Sequence, residues 1–191
     1  MSKKVVYQTL EDRDTDLDQL ELNGPYLCNW ENSWLGDGYY FWDTFIDNAH
    51  WWGNEVRKYR NGYIICQALC DFDTIKCLDL VGNTEQLLML RNSYELLKNK
   101  GIANKSTTVK RLLSYFLKDI KILNVEAVRA SGVKSKNDYS KYSVKLFFEI
   151  EKKSYLDFSP PIQICFFKKK SLNLREYRII FPVKYDKNYV V

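Results

Sequence analysis

At 191 residues, 46% of them apolar, with eight glycines and four prolines, the chain has core-forming material for one domain and too few breakers for a disordered or fibrous protein. Ten Lys and Arg stand against sixteen Asp and Glu up to Lys100, and nineteen against eight beyond it. An acidic part of net charge −6 thus precedes a basic part of +11, a division that admits a polyanionic partner without requiring one. The single histidine, His50, excludes multi-histidine metal sites and leaves most Ser-His or Cys-His pairs without a base.

In chain order, Val5 to Leu10 reads as a strand, and the acidic stretch Glu11 to Glu21 suits a brief helix around Leu17, Leu20 and Leu22, ended by Gly24-Pro25. The chain is then irregular and aromatic to Trp34. Gly36-Asp-Gly38 makes a turn before the dense aromatic run Tyr39 to Trp42. Asp43 is the expected N-cap of a helix carrying Ile46, Ala49, Trp52 or Gly53, Val56 and Tyr59 on one stripe, with Arg57, Lys58 and Arg60 near its C-terminal end and Asn61-Gly62 after it. Tyr63 to Phe72 reads as a buried central strand and Cys77 to Val81 as a short second one. Asn83 or Thr84 caps a helix lined by Leu87, Leu88, Leu90, Tyr94 and Leu97 that stops at Gly101, and another helix covers Thr107 to Ile120. A polar loop, Ser131 to Ser140, precedes strand-like runs at Tyr142 to Ile150, Ile162 to Phe167 and Tyr177 to Val183. This order implies one α+β domain over residues 1–191 with a mostly antiparallel sheet.

The five cysteines, Cys28, Cys66, Cys70, Cys77 and Cys165, form no CxxC, follow no apolar leader, and read as reduced thiols, with Cys66 and Cys70 as small core hydrophobes. Apolar runs are too short for a membrane span. The expectation is a soluble cytoplasmic protein with no membrane partner and no metal.

All five tryptophans lie between Trp30 and Trp52, beside a glycine turn. Flat π faces accept a planar heterocycle and glycine lets backbone approach it, so the segment reads as a pocket wall; an aromatic-rich local core is the alternative. Gly36-Asp-Gly38-Tyr39-Tyr40-Phe41-Trp42, followed by Ala49 on the next helix, resembles the motif of ADP-ribosyltransferases of the diphtheria-toxin and poly-ADP-ribose polymerase type. The longer form from Trp34 is similar to that of small, largely uncharacterised bacterial proteins with a transferase-like fold. They share a strand like Tyr63 to Cys70, a Cys77-Leu-Asp-Leu80 segment, a helix like Ser93 to Leu97 and a late strand like Ile162-Gln-Ile-Cys165.

The resemblance implies a split antiparallel sheet with flanking helices, and NAD as a substrate whose nicotinamide–ribose bond is cleaved. It further implies an ADP-ribose acceptor that is an intracellular protein or nucleic acid, as for a bacterial or phage toxin or defence effector, and an inhibitory partner is compatible with that role. Tyr40 then stacks on nicotinamide, beside Gly38. The family's Tyr-His-Gly at the end of the first strand is replaced here by Tyr7-Gln8-Thr9, so Gln8 or Tyr7 is the expected NAD-holding group, its structural use being the alternative. The family's acid falls either on Gln163, which carries no charge, or on Glu176 within Arg175-Glu-Tyr-Arg-Ile-Ile-Phe181; the closing Tyr189-Val-Val191 echoes how polymerase-type domains end. Glu176 also reads as a plain surface carboxylate. Two further readings stand beside transfer: a transferase-fold binding module without turnover, and nucleic-acid binding by the basic part. His50 reads as a half-exposed helix histidine and Lys168 to Lys170 as a solvated turn.

Overall fold

The computed structural model describes residues 2–121, 123–132, 136–149, 151–152 and 154–188. Strand β1 (Ser2–Glu11) is followed by helix α1 (Leu17–Asn23), capped by the Asp16 carboxylate, which accepts from the N–H groups of Asp18 and Gln19. The aromatic run forms β2 (Tyr39–Asp43). Helix α2 (Ile46–Trp51) widens into a π-helical stretch, Trp52–Arg57, and stops where Lys58 turns left-handed at φ 49°. Next come β3 (Tyr63–Phe72), β4 (Cys77–Asp79) and α3 (Thr84–Asn99), which Asn83 caps by accepting from the Gln86 N–H. Helix α4 (Val109–Ser114) relaxes into a π-helical stretch, Tyr115–Asp119. Among the described residues five strands follow: β5 (Ala127–Ala130), β6 (Lys145–Phe147), β7 (Tyr155–Asp157), β8 (Gln163–Phe166) and β9 (Arg175–Phe181).

Seven strands form one sheet in the order β4-β5-β8-β2-β1-β3-β9, antiparallel throughout except for the parallel pair β4–β5. Strands β6 and β7 make a separate two-stranded sheet. Because paired residues share a face, the register Tyr7–Trp42–Gln163–Ala130 and the register Tyr40–Cys165–Val128–Leu78 belong to one side. There α2 packs Ala49 and Trp51 on Trp42 and Ile65, and α4 packs Leu113 on Leu78 and Val128. The opposite side carries Val6, Phe41, Ala68 and Ile164 beneath Leu172 and Leu174, with Leu20 of α1 covering Ile64, Cys66 and Ile179. Among the described residues no helix is long and apolar enough to cross a membrane.

The α+β class and most element positions match expectation, and three details differ. Asp43 is not a helix cap: it ends β2, and α2 begins after Phe45 without a side-chain cap. Its carboxylate is taken by Lys4, Arg129 and the Thr44 hydroxyl instead. Strand β5, too short for its pattern to register in sequence, fills the sheet between β4 and β8. The run Tyr142 to Ile150 contributes only Lys145–Phe147, outside the main sheet, and Ile150 lies outside the described residues. The closing run Tyr189–Val191 also lies outside them.

A charge network crosses the second face of the sheet. Asp43, 2% exposed, accepts from Lys4 at 3.0 Å and from Arg129 Nε at 2.7 Å, and Arg129 Nη1 reaches Asp79 at 2.9 Å. Strands β1, β2, β5 and β4 are thereby tied through side chains that register places on one side. Burial pulls the Asp79 carboxyl upward, but the N–H groups of Gly82 and Val81 and the Arg129 guanidinium outweigh it and hold the group below the ordinary carboxylate range.

Replacing Arg129 by Met removes the cation shared by two buried carboxylates, leaving, among the described residues, Asp43 with Lys4 and Asp79 with no charged partner, and is expected to cost about 3 kcal/mol, measured by denaturant unfolding. A carboxyl whose folded pKa is depressed contributes stability above its unfolded value and loses it as pH falls through the folded one. The stability gap between wild type and Asp79→Asn is therefore expected to be full at pH 7 and to shrink below about pH 4, as thermal melts at the two pH values would read.

Candidate functional site

The site begins where the sheet splits. Strand β1 pairs with β3 along all ten residues but meets β2 in only two register pairs, Val6 with Asp43 and Tyr7 with Trp42. Beyond Tyr7 the Gln8 side chain, 5% exposed, takes the place of ladder hydrogen bonds. Its Nε2 donates to the carbonyls of Tyr26 at 2.9 Å and Tyr40 at 3.5 Å, and its Oε1 accepts the Tyr26 N–H at 3.0 Å and the Tyr177 hydroxyl at 2.8 Å.

The segment between α1 and β2 is folded against this gap. Cys28 and Gly38 exchange backbone hydrogen bonds of 2.8 and 3.0 Å, closing the loop at its neck. Inside it the Tyr40 hydroxyl donates to the Gly36 carbonyl at 2.8 Å and accepts the Leu35 N–H at 2.9 Å. Gly36, at φ 100°, adopts a conformation open chiefly to glycine, and a Cβ on Gly38 would strike the Cys165 sulfur and lie 2.8 Å from the Phe166 carbonyl. The two glycines of the motif thus serve a left-handed turn and a close strand approach. Lys110 of α4 steadies the loop from outside through the Glu31 carbonyl and the Ser33 hydroxyl.

These elements enclose a cleft of about 510 Å³, within the range of small-molecule and cofactor sites. Seven aromatic residues line it: Tyr26, Trp30, Trp34, Tyr40, Trp42, Trp52 and Tyr59. Among its polar residues, Gln163 opens β8 opposite Trp42 and is 7% exposed. The Trp34 indole, which can only donate, bonds Gln163 Oε1 at 2.9 Å, so the amide oxygen is fixed toward Trp34. Among the described residues Nε2 has no protein partner, which leaves a donor at the cleft wall. The charged lining residues are Glu11 and Arg13, paired at 2.8 Å, and Arg57.

The expected site residues divide accordingly. Tyr40, Gln8, Thr9 and Gln163 all border the cleft. Gln8 is engaged with its own chain, and the Thr9 hydroxyl donates to the Ala49 carbonyl at 2.9 Å. Burial lifts the Tyr40 phenol far above its ordinary value, which keeps the group neutral. Tyr7 lies instead in the cluster of Trp42, Ala49 and Ile65, and Gly38 is packed on Cys165. Glu176 is on β9, the far edge of the sheet, outside the cleft lining. Three β9 residues, Arg175 to Tyr177, stand against two of β3 before Arg178 meets Gln67, and Glu176 at φ 57° occupies that bulge with its side chain 64% exposed near Arg175.

Sequence reading missed Trp34 as a partner of Gln163, a pair 129 residues apart with no local pattern to reveal it. It also read Arg57 only as a helix-end charge. His50 lies off the cleft, its Nδ1 2.9 Å from the Tyr63 hydroxyl and its ring stacked on Tyr142, and burial lowers its pKa. Burial pushes the thiols of Cys66, Cys70, Cys77 and Cys165 up to about 12, as suits packing groups. Among the described residues no cluster of His, Cys, Asp and Glu could hold a metal ion. The chain matches no protein-family model, no curated protein and no solved structure.

Thermal melting is expected to separate two substitutions here. Trp34→Phe keeps an aromatic group, though a smaller one, and removes one buried hydrogen bond, about 1 kcal/mol or a fall of about 2–4 °C in Tm. Gly38→Ala forces a methyl into Cys165 and the Phe166 backbone and should cost more, about 1–3 kcal/mol.

Proposed function

We propose that the cleft is a NAD site of ADP-ribosyltransferase type and that this chain acts first as a NAD-binding protein, with slow turnover. What carries the reading is that three separated segments border one cleft: the first strand through Gln8 and Thr9, the aromatic motif through Tyr40, and a late strand through Gln163. The split between β1 and β2 supports the corresponding fold.

In this reading the nicotinamide ring stacks on the wall containing Tyr40, and the Gln163 Nε2–H donates to the carboxamide oxygen or a ribose hydroxyl. Transfer breaks the bond between ribose C1′ and the nicotinamide nitrogen. Nicotinamide leaves with the electron pair, and an acceptor oxygen or nitrogen bonds to C1′ and gives up its proton. The cationic, oxocarbenium-like ribose between these events is stabilised by negative charge. An amide at position 163 supplies none, and Glu176 is too far around the sheet to substitute, which favours binding over turnover.

A second reading keeps full transfer to an intracellular protein or nucleic acid, in the manner of a toxin or defence effector. It rests on Glu11, a carboxylate among the cleft-lining residues.

Calorimetric titration with NAD should give saturable one-site binding to the wild type; absence of binding would overturn the proposal. Nicotinamide release should be slow and should rise by roughly 10²-fold in Gln163→Glu, whose carboxylate still accepts from Trp34. Fast release by the wild type that is lost in Glu11→Gln would establish the second reading instead.

A further inference from the structure

The cleft described above has an aromatic interior and a cationic mouth, and the mouth has a specific construction. Arg57 is the last residue of the π-helical stretch after α2, and the left-handed Lys58 turns the chain away immediately behind it. Its guanidinium carbon lies 4.3 Å over the Trp30 ring and 5.6 Å from the Tyr59 ring, and all three residues line the cleft. Trp30 is 46% exposed, a large indole left at the surface.

Two facts distinguish this arginine from a solvated surface charge. Its guanidinium, though exposed, lies over an aromatic ring, which holds the charge beside the cleft. It also has no carboxylate: among the described residues Arg57 makes neither an ion pair nor a hydrogen bond, whereas Arg13, the other cleft guanidinium, is bound to Glu11 at 2.8 Å. A preoriented, unneutralised fork beside an aromatic cleft suits a ligand in which a planar ring is joined to a phosphate ester, since guanidinium edges match phosphate oxygens in pairs.

We infer that Arg57, stacked on Trp30, is a phosphate subsite at the mouth of the cleft, and that the cleft therefore selects phosphorylated nucleosides over the unphosphorylated ring and sugar. The inference builds on the reading of the cleft as a nucleotide site but not on any transfer chemistry. The ring enters the aromatic interior, and the phosphate or pyrophosphate is left at the mouth, where Arg57 forks its oxygens. Lysine replaces this group only in part, because an ammonium is a point charge without a paired donor edge.

The test compares NAD, ADP-ribose, inorganic pyrophosphate and nicotinamide riboside, which lacks phosphate, in titrations of wild type, Arg57→Ala and Arg57→Lys. Arg57→Ala is expected to weaken NAD and ADP-ribose about tenfold or more and to leave nicotinamide riboside unchanged, with Arg57→Lys recovering only part of the loss. Equal weakening of riboside and NAD would show that Arg57 merely shapes the aromatic wall and would overturn the subsite. Unchanged NAD affinity in Arg57→Ala would overturn it too, as would a wild type that binds none of the phosphorylated compounds. Binding of pyrophosphate or ADP-ribose that depends on Arg57, in a protein that does not bind NAD, would uphold the subsite while removing the NAD reading.

Discussion

Everything at the candidate site depends on the early parting of β1 from β2. Two adjacent strands that share only two register pairs leave backbone groups without ladder partners, and buried groups of that kind cost free energy unless something else bonds them. Gln8 bonds one such group, the Tyr40 carbonyl of β2, and with the same amide ties in the Tyr26 backbone and the Tyr177 hydroxyl, four hydrogen bonds in all. A side chain able both to donate and to accept is needed at that position, and glutamine has the reach. The gap stays open because it is bonded along its edge instead of being zipped shut.

Two consequences meet in the cleft. The loop from Tyr26 to Gly38 is fastened to the gap by the Tyr26 backbone, by the Tyr40 hydroxyl and by the Trp34–Gln163 bond, so its aromatic rings form a wall attached to the sheet. At the far end of β2 the Lys4, Asp43, Arg129 and Asp79 network holds the strands on either side together, so the parting is confined to one end. Among the described residues the cleft therefore gains an apolar interior with an unpaired amide donor at Gln163 and an unpaired guanidinium at Arg57, a distribution suited to a ring with a polar substituent and an anion farther out.

The elements were largely legible because their punctuation is local: Asn83 caps α3, Asn61-Gly62 separates α2 from β3, and the Tyr63–Phe72 run has the composition of a buried strand. Where reading failed, the deciding interaction was distant in sequence. Asp43 has the chemistry of a helix cap, yet a lysine 39 residues before it and an arginine 86 residues after it claim its carboxylate. The aromatic motif, visible in sequence through its glycine turn and ring density, supplies Tyr40 to the cleft wall. Glu176 and Gln163 were indistinguishable as candidates because sheet order decides which late strand borders β2, and no periodicity encodes that order. Gln8 stands out in sequence because it falls where the resembled family has histidine; that its amide is held internally depends on Tyr26 and Tyr177, the latter 169 residues away.

The central claim, that a planar-ring nucleotide enters the cleft between β1 and β2, can be tested through the tryptophans themselves. Trp30, Trp34, Trp42 and Trp52 line the cleft, while Trp51 is buried against Trp42 and Ile65 outside it. In a protein with ¹⁵N-labelled indoles, titration with NAD should shift the signals of the cleft tryptophans, Trp34 foremost because its N–H is bonded to Gln163, and move Trp51 least. Saturating NAD that leaves all five signals in place, or moves Trp51 alone, would contradict the account.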